Sequence, residues 1–179
     1  MIRLSVAVGL GACVLALSAC NEDKLETGTP VAGGASAVAM LKTAAGVDAG
    51  RATVTEAAGG LRFTVDVKGL PAGTHGVHVH TTGLCEGPEF TTAGGHWNPT
   101  GMKHGSMNPQ GPHEGDMPNL IVDSGGRGTV AATIPGATMV ALMDADGAAF
   151  VVHAGPDDLK TDPSGNSGGR IACGVFTVS

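Results

Sequence analysis

The chain has 179 residues, 10 of them Lys or Arg and 16 Asp or Glu, for a formal net charge of −6. That sign argues against nucleic acid as a partner, because phosphate binding calls for clustered Lys and Arg. Glycine is abundant at 30 residues and aromatics reach only 3%, which points to a turn-rich fold and stops short of low complexity.

Residues 1–19 read as an export leader. Arg3 precedes the apolar run LSVAVGLGACVLALSA, which is shorter than a comfortable membrane span and suits a signal-peptide core. The run closes in LSAC (residues 17–20), with small residues directly before a cysteine. This is similar to a bacterial lipobox, in which the Cys20 thiol is acylated and becomes the mature N-terminus. Lipidated Cys20 would tether the protein to a bacterial membrane, in the cell envelope and facing the periplasm or the exterior. Ordinary signal cleavage after Ser18 or Ala19, giving a soluble periplasmic protein, is the alternative.

The cysteine count agrees with the lipobox. Of four cysteines, Cys13 leaves with the leader. If Cys20 carries lipid, Cys85 and Cys173 remain in an oxidising compartment and can pair. A disulfide closing so long a loop is worth roughly 4–5 kcal/mol. Residues 20–36, with the polar and Gly/Pro-rich stretch NEDKLETGTPVAGGAS, read as a flexible tether.

Residues 37–179 form one domain. Short apolar runs follow one another: AVAMLK, RATVTEA, LRFTVDVKG, HGVHVH, NLIVD, RGTVAATI, TMVALM, AAFVVH and RIACGVF. In the third, Leu61, Phe63, Val65 and Val67 share one face, the period expected of a strand. Turns such as GLPAG, DSGG and ADG separate many of the runs, predicting an all-β antiparallel sandwich or barrel.

Two stretches have no strand pattern, residues 82–118 and 154–170. Ordering a loop costs on the order of 1–2 kcal/mol per residue, and the first has little apolar content to offset that. It does contain His96, His104, His113, Asp116 and Cys85, which suggests that a metal and a disulfide hold it. In HGVHVH, His78 and His80 stand on one face of a strand and Val77 and Val79 on the other.

Six of the seven histidines fall in a fixed series of motifs: HVH, GGHWNP, KHG, HEGDMPN and FVVHAGPDD, with GNSGGRIACGV after them. The series resembles the copper,zinc superoxide dismutases from about residue 37 to the C-terminus. The resemblance implies an eight-stranded Greek-key β-barrel. It implies copper ligands His78, His80, His96 and His153, and zinc ligands His96, His104, His113 and Asp116, with His96 bridging the two metals. Four imidazoles suit Cu(II), and three imidazoles with a carboxylate suit zinc. Asp157 would link His78 to His104, Arg170 would attract and orient the anion, and Cys85–Cys173 would be the family disulfide. His75 is expected to be structural.

The implied reaction is dismutation of superoxide to oxygen and hydrogen peroxide by copper redox cycling. His96 and Arg170 would take part directly, and zinc would structure the site. A metal-storage or delivery protein without turnover is the alternative. Trp97 stands where phenylalanine is more usual, and the short 154–170 loop has Lys160 as its only lysine. Steering cations are therefore not assigned, although Lys103 is a candidate. Subunit assembly varies among bacterial members, and a homodimer is one of the assemblies the resemblance allows.

Overall fold

The computed structural model describes residues 34–179. The export leader, Cys20 and nearly all of the tether lie outside the described residues.

The described residues form nine strands: β1 (Ser36–Thr43), β2 (Asp48–Ala57), β3 (Gly60–Val67), β4 (Gly73–His75), β5 (Val77–His80), β6 (Leu120–Val122), β7 (Gly128–Pro135), β8 (Ala149–His153) and β9 (Arg170–Val178). Seven form an antiparallel sheet in the order β5-β8-β9-β1-β2-β3-β7, and β4 pairs with β6. The HGVHVH run is divided at Gly76, so that β4 faces β6 while β5 faces β8. Counted as one interrupted strand, β4 and β5 make eight in all and join the two sheets. A tight turn at Asp123–Arg127, whose amides bond the Asp123 carboxylate, links β6 to β7. The β3-to-β4 and β7-to-β8 connections cross between the halves, which is a Greek-key route.

Glycine at position 76 has a steric cause. A Cβ there would lie 2.5 Å from Ser167 Oγ and 3.2 Å from Asp157 Cβ. The bare backbone lets the 154–170 loop dock directly, with Gly76 N–H donating to the Gly155 carbonyl.

The predicted alternation holds. Leu61, Phe63, Val65 and Val67 of β3 point inward, joining Leu41, Val54, Val77, Val79, Phe150 and Phe176 in one core. Burying each such side chain contributes about 1.5–3 kcal/mol relative to exposure. Trp97 is buried in the same core.

The run TMVALM is not a strand. Met139–Leu142 is a helical turn capped by Thr138, whose hydroxyl accepts from Ala141 N–H. Met139 and Leu142, three apart, are buried and Val140 is exposed. The cap and this spacing override the β-branched valine.

Cys85 and Cys173 form a disulfide with a Cα–Cα distance of 5.7 Å. Beside it, Phe90 and Ala93 of the long loop cover Ala149 and Val151 on the outer face of β8. This second small apolar cluster, together with the disulfide, fastens the loop to the sheet.

Candidate metal centre

β5 ends the seven-stranded sheet, and the long loop supplies what its free edge lacks. Trp97 N–H donates to the Val79 carbonyl and Val79 N–H to the Gly115 carbonyl, while Gly115 N–H donates to the Trp97 carbonyl. The loop backbone therefore lies as two bridges, His80 opposite His96 and His78 opposite Asp116. Gly115 is needed because a Cβ there would strike the Val79 carbonyl. Residues far apart in sequence reach the outer face of β5 through these bridges. His153, at the end of β8, arrives by ordinary strand pairing, because β5 and β8 are in register.

His78, His80, His96 and His153 have ring nitrogens within 4.8 Å of one another. Their tautomers are set from behind. His80 Nδ1–H donates to the Gly94 carbonyl at 2.9 Å, His153 Nδ1–H to the Gly168 carbonyl at 3.2 Å, and His78 Nε2–H to Asp157 Oδ2 at 2.6 Å. A neutral imidazole with one nitrogen donating keeps a lone pair on the other. The nitrogens left over are His78 Nδ1, His80 Nε2 and His153 Nε2, joined by His96 Nε2. All four are buried without a hydrogen-bond partner, which is rare in a folded protein and costs free energy. Burial also lowers the pKa of each ring, to about 4 for His96 and about 3 for His153. Neutral rings with convergent lone pairs fit a cation that favours imidazole.

A second group lies on the other side of His96. His96 Nδ1 is 2.8 Å, His104 Nδ1 3.0 Å and His113 Nδ1 3.3 Å from one oxygen, Asp116 Oδ1. His96 and His113 Nδ1 are 3.4 Å apart. Donors about 2.0–2.1 Å from a tetrahedral ion stand about 3.3 Å from each other, so these four donors fit zinc. His78 is also close to this group, but its Nε2 is committed to Asp157. Asp116 Oδ2 accepts from Gly105 and His113 N–H. Burial would raise its carboxyl, but the His104 and His96 contacts and the Gly105 N–H outweigh that and hold it far below the usual range.

Asp157 joins the two groups, receiving His78 on one oxygen and His104 Nε2 on the other at 3.0 Å. Burial disfavours a charged His104, yet Asp116 and Asp157 raise its pKa to about 9. Asp157 is pulled well below the carboxylate range by the same contacts, against the effect of burial.

Arg170 is half-buried and donates to the Phe90 and Gly94 carbonyls, both at 2.6 Å. It therefore shares the Gly94 oxygen with His80. His75 is structural as expected, with its ring nitrogens 2.8 Å from the His153 carbonyl and 2.9 Å from that of Pro71. Lys103 is ion-paired with Asp162.

Two residues at this site, Asn119 at the end of the HEGDMPN motif and Asp162, are given no role by the sequence motifs. Asn119 clamps Asp157 through both backbone polar groups, accepting from its N–H and donating to its carbonyl, each at 2.8 Å. Asp162 accepts from His104 N–H. An asparagine before a strand and an acid in a polar loop give no local signal.

Residues 48–176 match the family model for copper/zinc superoxide dismutase (SODC). The chain belongs to the copper/zinc superoxide dismutase family. The dismutase is 41% identical over 98% of its length, and 99% of the relative's, to a Cu-Zn superoxide dismutase of Caulobacter vibrioides. It is 44% identical to Cu-Zn superoxide dismutase 2 of Aquifex aeolicus, over 71% of this chain and 78% of that one. The Cu/Zn superoxide dismutase of Brucella abortus superposes with a TM-score of 0.65 at 29% identity, covering 79% of this chain and 99% of the other. The dismutase is thus an enzyme that uses copper and zinc to convert superoxide to oxygen and hydrogen peroxide.

Proposed function

We propose that copper is held by His78 Nδ1, His80 Nε2, His96 Nε2 and His153 Nε2, and zinc by the Nδ1 atoms of His96, His104 and His113 with Asp116. The observation that carries this reading is the set of four buried, unpartnered ring nitrogens converging on one point. When bound, copper supplies the one-electron redox change and zinc a fixed positive charge beside His96.

The protein's own groups do the rest. The Gly94 and Gly168 carbonyls and Asp157 hold three rings in the tautomer that presents a lone pair to the copper position. The Arg170 guanidinium, fixed by two carbonyls, attracts and orients a small anion. His96 is the ring assigned to both ligand sets, Nε2 to copper and Nδ1 to zinc, so its Nε2 is placed to hold a proton and release it. Forming hydrogen peroxide requires two protons, one from that atom and one from solvent.

We further propose that the enzyme works in a bacterial cell envelope, anchored through lipidated Cys20. The LSAC stretch after an apolar run supports the anchor, and the Cys85–Cys173 disulfide supports an oxidising compartment.

The test is superoxide decay with the purified chain loaded with copper and zinc, beside a zinc-only sample. Catalytic decay that needs one copper per chain is expected. Stoichiometric copper with decay at the uncatalysed rate would sink the dismutase reading and favour storage. For the anchor, Cys20→Ser should move the protein from membrane to soluble fractions; unchanged membrane retention would count against it.

A further inference from the structure

Asp162 reaches the zinc-facing histidines from the 154–170 loop, across a gap of nearly fifty residues from the nearest of the four ligands. Its Oδ1 accepts the backbone N–H of His104 at 2.8 Å, and its Oδ2 accepts the Lys103 ammonium at 3.1 Å. The same Oδ1 stands 3.9 Å from His113 Nε2. That is too long for a hydrogen bond.

The surroundings make this more than a surface ion pair. The 154–170 loop lies along the 82–118 loop, with Met107 N–H donating to the Leu159 carbonyl at 2.9 Å and Asn108 Nδ2 to the Lys160 carbonyl at 3.3 Å. Asp157 of the same loop takes His104 Nε2. His104 is therefore gripped twice by one loop, at its ring by Asp157 and at its backbone by Asp162. Metal-ligating histidines depend on such outer partners, whose loss typically weakens metal affinity by about 10–100-fold.

We propose that Asp162 is a positioning residue for zinc, acting through its hydrogen bond to the His104 backbone N–H. This rests on the zinc assignment above. Because none of the four copper-facing rings contacts Asp162, its effect is confined to zinc.

The experiment measures zinc affinity of the purified full chain against a chromogenic chelator, and copper affinity separately. Asp162→Ala should weaken zinc about 10–100-fold and leave copper within about threefold. Asp162→Asn keeps an acceptor for the His104 N–H and should recover most of the loss. Cobalt(II) in the zinc position should give an altered visible spectrum in Asp162→Ala and an unaltered one in the remote surface variant Arg62→Ala. Asp116→Ala serves as the reference, and if it leaves zinc binding intact the zinc assignment itself fails. If Asp116→Ala abolishes zinc binding while Asp162→Ala stays within about threefold of the parent, the positioning role is overturned. Equal losses of zinc and copper in Asp162→Ala, or an Asp162→Asn as weak as the alanine variant, would overturn it as well.

Discussion

Removing both metals is expected to convert the His104 contacts into a pH-dependent stability. His104 is fully buried, with Nδ1 and Nε2 each 3.0 Å from a carboxylate, Asp116 on one side and Asp157 on the other. Burial alone would push the ring down, but the two carboxylates win and raise its pKa from 6.5 to about 9. A group raised on folding contributes stability that is complete below its unfolded value and is lost as pH climbs through its folded value. The window is therefore pH 6.5 to 9, and the shift corresponds to about 3 kcal/mol.

On the acid side the sign reverses. Burial lowers His96 to about 4 and His153 to about 3, so below pH 6.5 the unfolded chain takes up protons that the folded chain refuses. The metal-free protein should be most stable near pH 6.5 and weaken in both directions. Urea titrations of chelator-treated, disulfide-intact protein between about pH 5 and about pH 9.5 read this directly. Asp157→Asn removes one of the two charges on His104 and should shrink the alkaline limb by about half. In the metal-loaded protein the limb should vanish, because zinc held as proposed would replace the proton on His104 Nδ1. A metal-free stability that is flat from pH 6.5 to 9, or an alkaline limb unchanged in Asp157→Asn, would refute the reasoning.

Three other outcomes are expected. Arg170→Ala should lower the dismutation rate about tenfold or more and flatten its salt dependence, with copper content by mass spectrometry unchanged; full activity would remove Arg170 from the anion path. Cys85→Ser should cost roughly 4–5 kcal/mol in urea unfolding, and a loss below about 1 kcal/mol would mean that the loop is held without the disulfide. Asn119→Ala should cost about 1–3 kcal/mol, because the Asp157 N–H and carbonyl both lose a partner; unchanged stability would show that the clamp is dispensable.

Much of the barrel is legible in the sequence because a strand period of two is a local signal. The inward set of β3 reads directly, and so does the division of VHVH into core valines and outward histidines. TMVALM misleads for the converse reason: one threonine hydroxyl caps a turn, and no apolar pattern reports that. Phe90, whose carbonyl receives Arg170, sits at φ 54°, a backbone choice unusual for an aromatic and invisible in composition. The His96 and Asp116 bridges to β5 are non-local backbone pairings, and motif order points to them only through family resemblance. Asn119 and Asp162 stay hidden because a clamp is defined by what it meets across the fold.

The same histidine chemistry is driven in opposite directions on the two sides of His96, and burial against carboxylate contact decides which. On the copper-facing side no carboxylate among the described residues bonds His80 or His153, so desolvation dominates and the rings stay neutral with their lone pairs free. On the zinc-facing side Asp116 and Asp157 hold His104 as a cation until a metal takes its proton's place. Each unpartnered buried nitrogen costs about 1–3 kcal/mol, and four of them meet at one point. The barrel core and the disulfide must offset that cost in the metal-free chain, whereas a bound ion removes it. Metal affinity and folding stability are consequently linked at this site, and copper loading should raise the stability of the barrel as well as complete the active centre.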